Sequence, residues 1–306
     1  MARYVVKRLF SMIVTLLIIS ALTFGLMHSI PGGPFTSERE LAPEIEAALM
    51  EKYGLDQPLY QQYLTYIGNL LKGDLGVSMK KTGVTVNDMI SQGLPTSAKV
   101  GMIAVCVILF MGIPIGIISA LKQNSIIDHI VMFIATIGIA VPSFVVGTFM
   151  MYVFGELLGL IPAGGLSGWN SYIGPVVALS GFSLAYVTRL MRSSMLEVLR
   201  QDYIRTARAN GLNQFKVIGK HALKNALIPV VTYVGPMVAS ILTGSFVVEK
   251  IFALPGMGTH FTESVTNRDY TVIMSITLFY AAVYIFMVLL VDIAYAVIDP
   301  RIKLSD

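Results

Sequence analysis

Six stretches of this chain are too long and too apolar to be ordinary surface elements. They run from Leu9 to Ile30, Ala98 to Leu121, Ile126 to Leu158, Tyr172 to Tyr186 plus one turn, Leu227 to Val248 and Val272 to Ile298. A helix crossing the hydrocarbon core of a bilayer needs about 20 mostly apolar residues. Inside that core the backbone must satisfy its own hydrogen bonds, so helices are the natural solution. The pattern predicts an all-α membrane protein with six transmembrane helices. Composition agrees: 55% of the 306 residues are apolar and 13% are charged, the latter about half the usual ~25%. So little charge cannot cover a water-soluble surface. Disordered, collagen-like, coiled-coil and disulfide-scaffold classes are excluded as well. The single Cys106 lies in an apolar run and is expected to be a small buried hydrophobe.

The first segment follows Arg3, Lys7 and Arg8 and ends in His-Ser-Ile-Pro-Gly-Gly, without a small-x-small cleavage site, so it reads as a retained helix and not a secretory signal. Positive charge orients the rest. With the N-terminus cytoplasmic, 14 Lys and Arg fall on the inner side and 8 on the outer, five of those eight in one long loop. Both termini are then inside. The long external stretch, 31–95, holds five basic and eight acidic residues. It contains a PGGPF turn and two short helices, Pro43 to Tyr53 and Leu59 to Leu71. The second carries Tyr63, Tyr66, Ile67 and Leu70 at helical spacing.

The inner segment 189–225 has eight basic and two acidic residues. Leu196, Leu199, Tyr203 and Ala207 share one helical face, with Arg200, Arg205 and Arg208 elsewhere. Gly211 suits a left-handed position after the helix, and Asn213 suits the cap of the next. Phe215, Ile218 and Ala222 continue an apolar face until Pro229 opens the fifth span. Two readings stand for this helix–Gly–helix hairpin. It lies on anionic lipid, or it is a docking element through which a soluble partner moves the spans.

Several chemistries lack their residues. A phosphate-binding loop needs G-x-x-x-x-G-K-[ST], but Gly219-Lys220 is followed by His221, and Gln214 occupies the first glycine position. His28, His129, His221 and His260 have no metal-ligand spacing. Neither G-x-S-x-G nor H-E-x-x-H occurs. Asp292 is taken as the one charge clearly inside a span, a partner for a backbone or basic group near the interface. Glu156 is expected at the outer interface, and Gly112-x-x-x-Gly116 is a candidate close helix contact. An ion-coupled secondary transporter would need a polar midplane site at broken helices. Pro114 and Pro142 offer breaks, but no acidic cluster accompanies them.

The runs YIRTARANGL and HALKNALIPV resemble the cytoplasmic coupling loop of ABC importer permeases, whose pattern is close to E-A-A-x-x-x-G. Ala207 and Gly211 match the second Ala and the Gly. Arg205 stands at the Glu position and Thr206 at the first Ala, and the spacing to Pro229 is longer, departures shared by the peptide-permease branch. PGGPF, YGLDQPLYQQYLTYIGNLLKGDLGVS, VPSFVVG, ALPGMG, NRDYTVIMSIT and AVIDPRIK extend the resemblance over essentially the whole chain. The chain is similar to the B-type permease subunit of oligopeptide ABC importers. PGGPF followed by LAPEI favours these over dipeptide or nickel members.

The resemblance implies a type I importer permease architecture with an external insertion after the first helix. It divides the chain into an N-terminal transmembrane helix at 1–30, an external loop at 31–95, a permease core at 96–299 and a cytoplasmic tail at 300–306. The coupling loop is 194–220, with Tyr203, Arg205, Thr206, Ala207, Arg208, Ala209, Gly211 and Leu212 as its contact residues. It implies oligopeptide import across the bacterial cytoplasmic membrane, without enzymatic activity in this chain. No cofactor is expected here, because ATP and Mg bind partner ATPase subunits. The implied partners are a second, homologous permease subunit, two cytoplasmic ATPases, an extracytoplasmic peptide-binding protein and membrane lipid, with no nucleic acid. The scarcity of charge in the spans suits a path that passes diverse peptides without holding them, leaving selection to the external receptor.

Overall fold

The computed structural model describes residues 2–35, 42–242 and 244–298, with side chains described for 6–35, 42–242, 244–290 and 293. In chain order the helices are α1 (Ala2–Ser29), α2 (Pro43–Lys52), α3 (Leu59–Leu71), α4 (Val86–Leu121), α5 (Ile126–Ala140) and α6 (Ser143–Phe149), which continues in wide π turns over Met150–Leu157. There follow α7 (Ile173–Leu199), α8 (Asp202–Ala209), α9 (Gln214–Lys216), which leads into π turns over Val217–Ala222, and α10 (Leu223–Ala226). The last are α11 (Ile228–Leu242), α12 (Phe246–Ile251), α13 (Met257–Asn267) and α14 (Tyr270–Ile298). Among the described residues β pairing is confined to one isolated bridge, Val77 with Thr85. Among the described residues, five helices are long and apolar enough to cross a membrane, and a sixth crossing exists if the bent pair α5 and α6 counts as one.

That bent pair corrects the expectation of one long third span. The chain turns by 102° between Ile126–Ala140 and Ser143–Leu157. Pro142 has no N–H to continue the ladder, and it drives the residue before it out of the helical region; Val141 accordingly sits at φ −88, ψ 122. Other boundaries shift too. The second spanning helix begins at Val86, well before Ala98, because Thr85 and Asp88 cap it reciprocally. The Asp88 amide donates to Thr85 Oγ1 (3.1 Å), and the Thr85 hydroxyl donates to Asp88 Oδ2 (2.6 Å). The fourth continues to Leu199, and the fifth stops at Leu242 before resuming as α12. The short helices at Pro43–Lys52 and Leu59–Leu71 stand where the sequence puts them, with Tyr63, Tyr66, Ile67 and Leu70 half-buried.

The chain forms two compact units, one from 1–97 and 255–286, the other from 98–254 with the end of α14. In the first, Met27, Tyr270 and Met274 form a small core. The buried Asp269 carboxylate receives the Ser78 hydroxyl and the amides of Met79 (3.2 Å) and Val272 (3.3 Å), so it caps α14 and ties down the loop before α4. The Tyr66 hydroxyl lies 3.2 Å from Ser275 Oγ, and burial pushes the Tyr66 phenol up from its ordinary value. Burial, joined by the Lys81 charge, pushes the His260 imidazole down.

In the second unit α7 is the central element. Val187, Met191 and Met195 on it are fully buried, as are Ile108 of α4 and Val230 of α11. The Gly112-x-x-x-Gly116 contact is real. A Cβ at Gly116 would meet the Thr188 carbonyl oxygen at 2.6 Å and Met191 Cβ at 2.7 Å. The Thr188 hydroxyl donates to the Gly112 carbonyl at 3.3 Å. Cys106 is exposed, not buried as expected. An apolar run in a membrane protein need not face protein, because lipid solvates it equally well.

Asp292 was expected to be the one clear intramembrane charge; its side chain lies outside the described residues, as does the tail 300–306. The structure supplies a different acid. Asp128, in the first turn of α5, is buried. Arg192 of α7 grips it with two hydrogen bonds, Nε to Oδ1 and Nη2 to Oδ2, each 2.6 Å. The Ser119 hydroxyl adds 2.5 Å to Oδ1 and the Asn124 amide 2.9 Å to Oδ2. One carboxylate therefore ties together the end of α4, the following turn, α5 and α7.

Two predictions follow from these contacts. Removing one partner of a buried ion pair typically costs about 3–5 kcal/mol, whereas removing both costs less than the sum. Arg192→Ala and Asp128→Ala should each lower the melting temperature in detergent sharply, and the double variant should fall short of additivity. The second concerns His260. Its folded pKa lies below that of the unfolded chain, so the unfolded state binds the proton more readily. Stability is full above the unfolded value and declines as pH falls towards the folded one. Melting curves taken between about pH 7.5 and about pH 5 should show that decline, and His260→Gln should flatten it.

Candidate functional site: the hinged segment between α7 and α11

The local sequence dictates a break after α7. Gln201 is extended, at φ −70 and ψ 149, and starts α8 afresh. The expected continuous face from Leu196 through Tyr203 therefore does not form. The change of direction at Gln201 puts Ile204 and Ala207 inward, 0% and 6% exposed, and leaves Tyr203 41% exposed. The Tyr203 hydroxyl instead receives a 2.7 Å hydrogen bond from Asn225 Nδ2 of α10.

The turn after α8 forms as the sequence predicts. Gly211 has φ +74. Its amide donates to the Arg208 carbonyl (3.0 Å), and the Leu212 amide donates to the Ala207 carbonyl (3.3 Å). This paired closure requires the left-handed conformation that glycine adopts without strain. Asn213 then caps the next helix, Oδ1 accepting the Phe215 amide at 3.1 Å. Beyond it the wide turns reset the face. Val217 and Ala222 are fully buried, while Phe215, expected on the apolar face, is 85% exposed.

Of the eight expected contact residues, only Ala207 is buried; Tyr203, Arg205, Thr206, Arg208, Ala209, Gly211 and Leu212 are exposed. They make a tip with apolar Leu212 and Phe215 amid Arg205, Arg208 and Lys216. The Arg205 contact with Asp202, at 3.5 Å and solvent-exposed, contributes little. The root of the tip is different. Ile204, Ala207, Val217, Ala222 and Ala226 belong to the same buried cluster as Met191 and Met195 of α7. The arrangement suits mechanical work: an exposed, basic-rimmed tip on a root continuous with the core. Among the described residues, no group of three or more His, Cys, Asp or Glu is placed to hold a metal ion.

Sequence reasoning missed Asp128 as a buried acid although it lies in an apolar run, three residues after a good cap residue, Ser125. Its partner is 64 residues away, so the pair itself had no local signal. The outward turn of Phe215 depends on the π turns and had none either.

Residues 112–304 match the family model described as binding-protein-dependent transport system inner membrane component. Residues 1–98 match a second model, described as binding-prot-dependent transport system membrane comp, N-term. The dipeptide transport system permease protein DppB of Bacillus subtilis (strain 168) is 48% identical, with 99% of each chain covered. The oligopeptide transport system permease proteins OppB of Haemophilus influenzae and Escherichia coli (strain K12) are 44% and 42% identical, covering 99% of this chain and all of theirs. Among solved structures, an inward-facing form of the MetNI methionine ABC transporter superposes with a TM-score of 0.52 at 16% identity, over 68% of this chain and 94% of that one. That likeness establishes the type I importer permease fold. The chain belongs to the family of inner-membrane components of binding-protein-dependent transport systems.

Proposed function

We propose that this chain is the B-type permease subunit of an ABC importer that carries oligopeptides across the bacterial cytoplasmic membrane. Both termini are cytoplasmic in this reading, as the distribution of Lys and Arg supports. A second, homologous permease completes the path, and an extracytoplasmic peptide-binding protein delivers the substrate. Two cytoplasmic ATPases bind ATP and Mg and supply the energy. Similarity to oligopeptide and dipeptide permeases over nearly the full chain supports the peptide class, and PGGPF followed by LAPEI supports the longer substrates.

The observation that carries the mechanism is the hinged segment. The ATPases dock on its tip, at Arg205, Thr206, Arg208, Ala209, Gly211 and Leu212, with the exposed Phe215 beside them. When ATP draws the two ATPases together, the tip moves with them. The buried root, Ile204 and Ala207 packed with Val217, passes that motion to α7 and α11 as a rigid body, because close-packed interiors transmit displacement. An ion-coupled mechanism finds less support. Asp128, a buried acid in the first turn of α5, is fully engaged by Arg192, Ser119 and Asn124.

Uptake of labelled peptide into vesicles loaded with ATP tests the reading. Gly211→Pro fixes φ near −65° and removes the amide that closes the turn, so it should abolish uptake and release the ATPases on purification. Gly211→Ala, which costs about 1 kcal/mol in the left-handed region, should reduce both partially. ATP-driven uptake unchanged in Gly211→Pro would overturn the coupling role, and a tip that cross-links to phospholipid alone during turnover would assign the hairpin to the membrane surface.

A further inference from the structure

Helix faces exposed in a membrane protein meet lipid, a partner subunit or the transported solute, and their chemistry differs accordingly. The exposed face of α5 is mostly apolar, with Ile126, Ile127, Ile130, Phe133, Ile134 and Ile137, and its exposed His129 and Thr136 each hydrogen-bond back to the carbonyl four residues earlier. The face shared by α7 and α11 is different. Phe182 and Tyr186 stack along α7, centroids 6.2 Å apart and planes 14° apart. Tyr186 meets Tyr233 of α11 at 4.4 Å, and the Tyr233 hydroxyl donates to Ser183 Oγ at 3.2 Å. Arg189 lies one turn further along the same face, exposed and without an ion pair among the described residues. On α11 the exposed positions are Ile228, Thr232, Pro236 and Ser240. Pro236 has no N–H, so the Thr232 carbonyl four residues earlier loses its helical donor.

A carbonyl deprived of its helical donor is costly against hydrocarbon unless another donor reaches it, and Arg189, at the inner end of the same face, offers a charge without an ion pair among the described residues. A peptide in transit satisfies both. Its N–H groups donate to the Thr232 carbonyl, its carboxylates face Arg189, and aromatic rings pack against its backbone and side chains with little regard to sequence. We propose that Phe182, Tyr186 and Arg189 of α7, with Thr232, Tyr233 and Pro236 of α11, form the wall that this chain contributes to the peptide path. The inference rests on the peptide-import reading and assigns the residues that carry it. It also joins the path to the hinge, since α7 and α11 are the two helices that the hinged segment connects.

The test uses the assembled importer in proteoliposomes, with Cys106→Ser as background and peptide uptake verified first. Single cysteines replace Phe182, Tyr186 or Thr232, and Phe133 or Ile134 for comparison, and a membrane-impermeant methanethiosulfonate is the probe. Labelling at the three wall positions should be at least about tenfold faster than at the α5 positions, and excess peptide during turnover should slow it. Arg189→Gln should raise the half-saturating peptide concentration about tenfold, the worth of one charge-assisted contact, and Arg189→Lys should largely restore it. Labelling as slow as at Ile134, or cross-linking of Tyr186→Cys to the second permease in place of labelling, overturns the proposal. Loss of uptake in the background protein itself would count against peptide import, whereas uptake with an unlabelled wall counts against the wall alone.

Discussion

The second unit is organised by the close approach of α4 to α7. At Gly116 the two helices lie so near that a Cβ would sit 2.6 Å from a backbone oxygen of α7. Between helices in lipid there is little hydrophobic drive, so association depends on packing and polar contacts. Here both act at one end of the pair. The glycines permit the approach, and Asp128 then reaches Arg192 with short, paired hydrogen bonds. A charge pair in this setting is tolerable only when every lone pair is used, and Ser119 and Asn124 complete that requirement. The end of α7 that leads to the hinge is thereby fixed in place.

A lever needs a firm root and an accessible end. Ile204 and Ala207 supply the root by joining the cluster around Met191 and Met195, while Gly211 reverses the chain in a conformation that holds the tip outward. The same two helices that leave this root, α7 and α11, carry the ring stack and the polar groups of the inferred path wall. On the proposed reading, displacing the tip and reshaping the path would be one motion of a continuous body.

Most of the helical content was legible because bilayer solvation leaves a chain few options. The short helix Leu59–Leu71, the glycine turn at Gly211, the Asn213 cap and the Gly112–Gly116 contact are local or periodic features, and the structure has them. Three of the misses share one character. The 102° bend after Ala140 was hidden by uniform apolarity, even though Pro142 marked its place. The extended Gln201 exchanged Tyr203 for Ile204 as the buried residue, and the π turns from Val217 turned Phe215 outward. A periodic reading assumes a straight helix, and each of these is a place where the helix is interrupted.

The sequence by itself determined that this chain is helical, resides in a membrane and carries its own signals for the turn at Gly211, because those properties follow from hydropathy, charge and the φ preference of glycine. The tertiary structure decided which charge is buried and which aromatic rings meet. These depend on residues far apart in the chain, Asp128 with Arg192 and Tyr186 with Tyr233, and no local rule of composition or spacing encodes a distance in space.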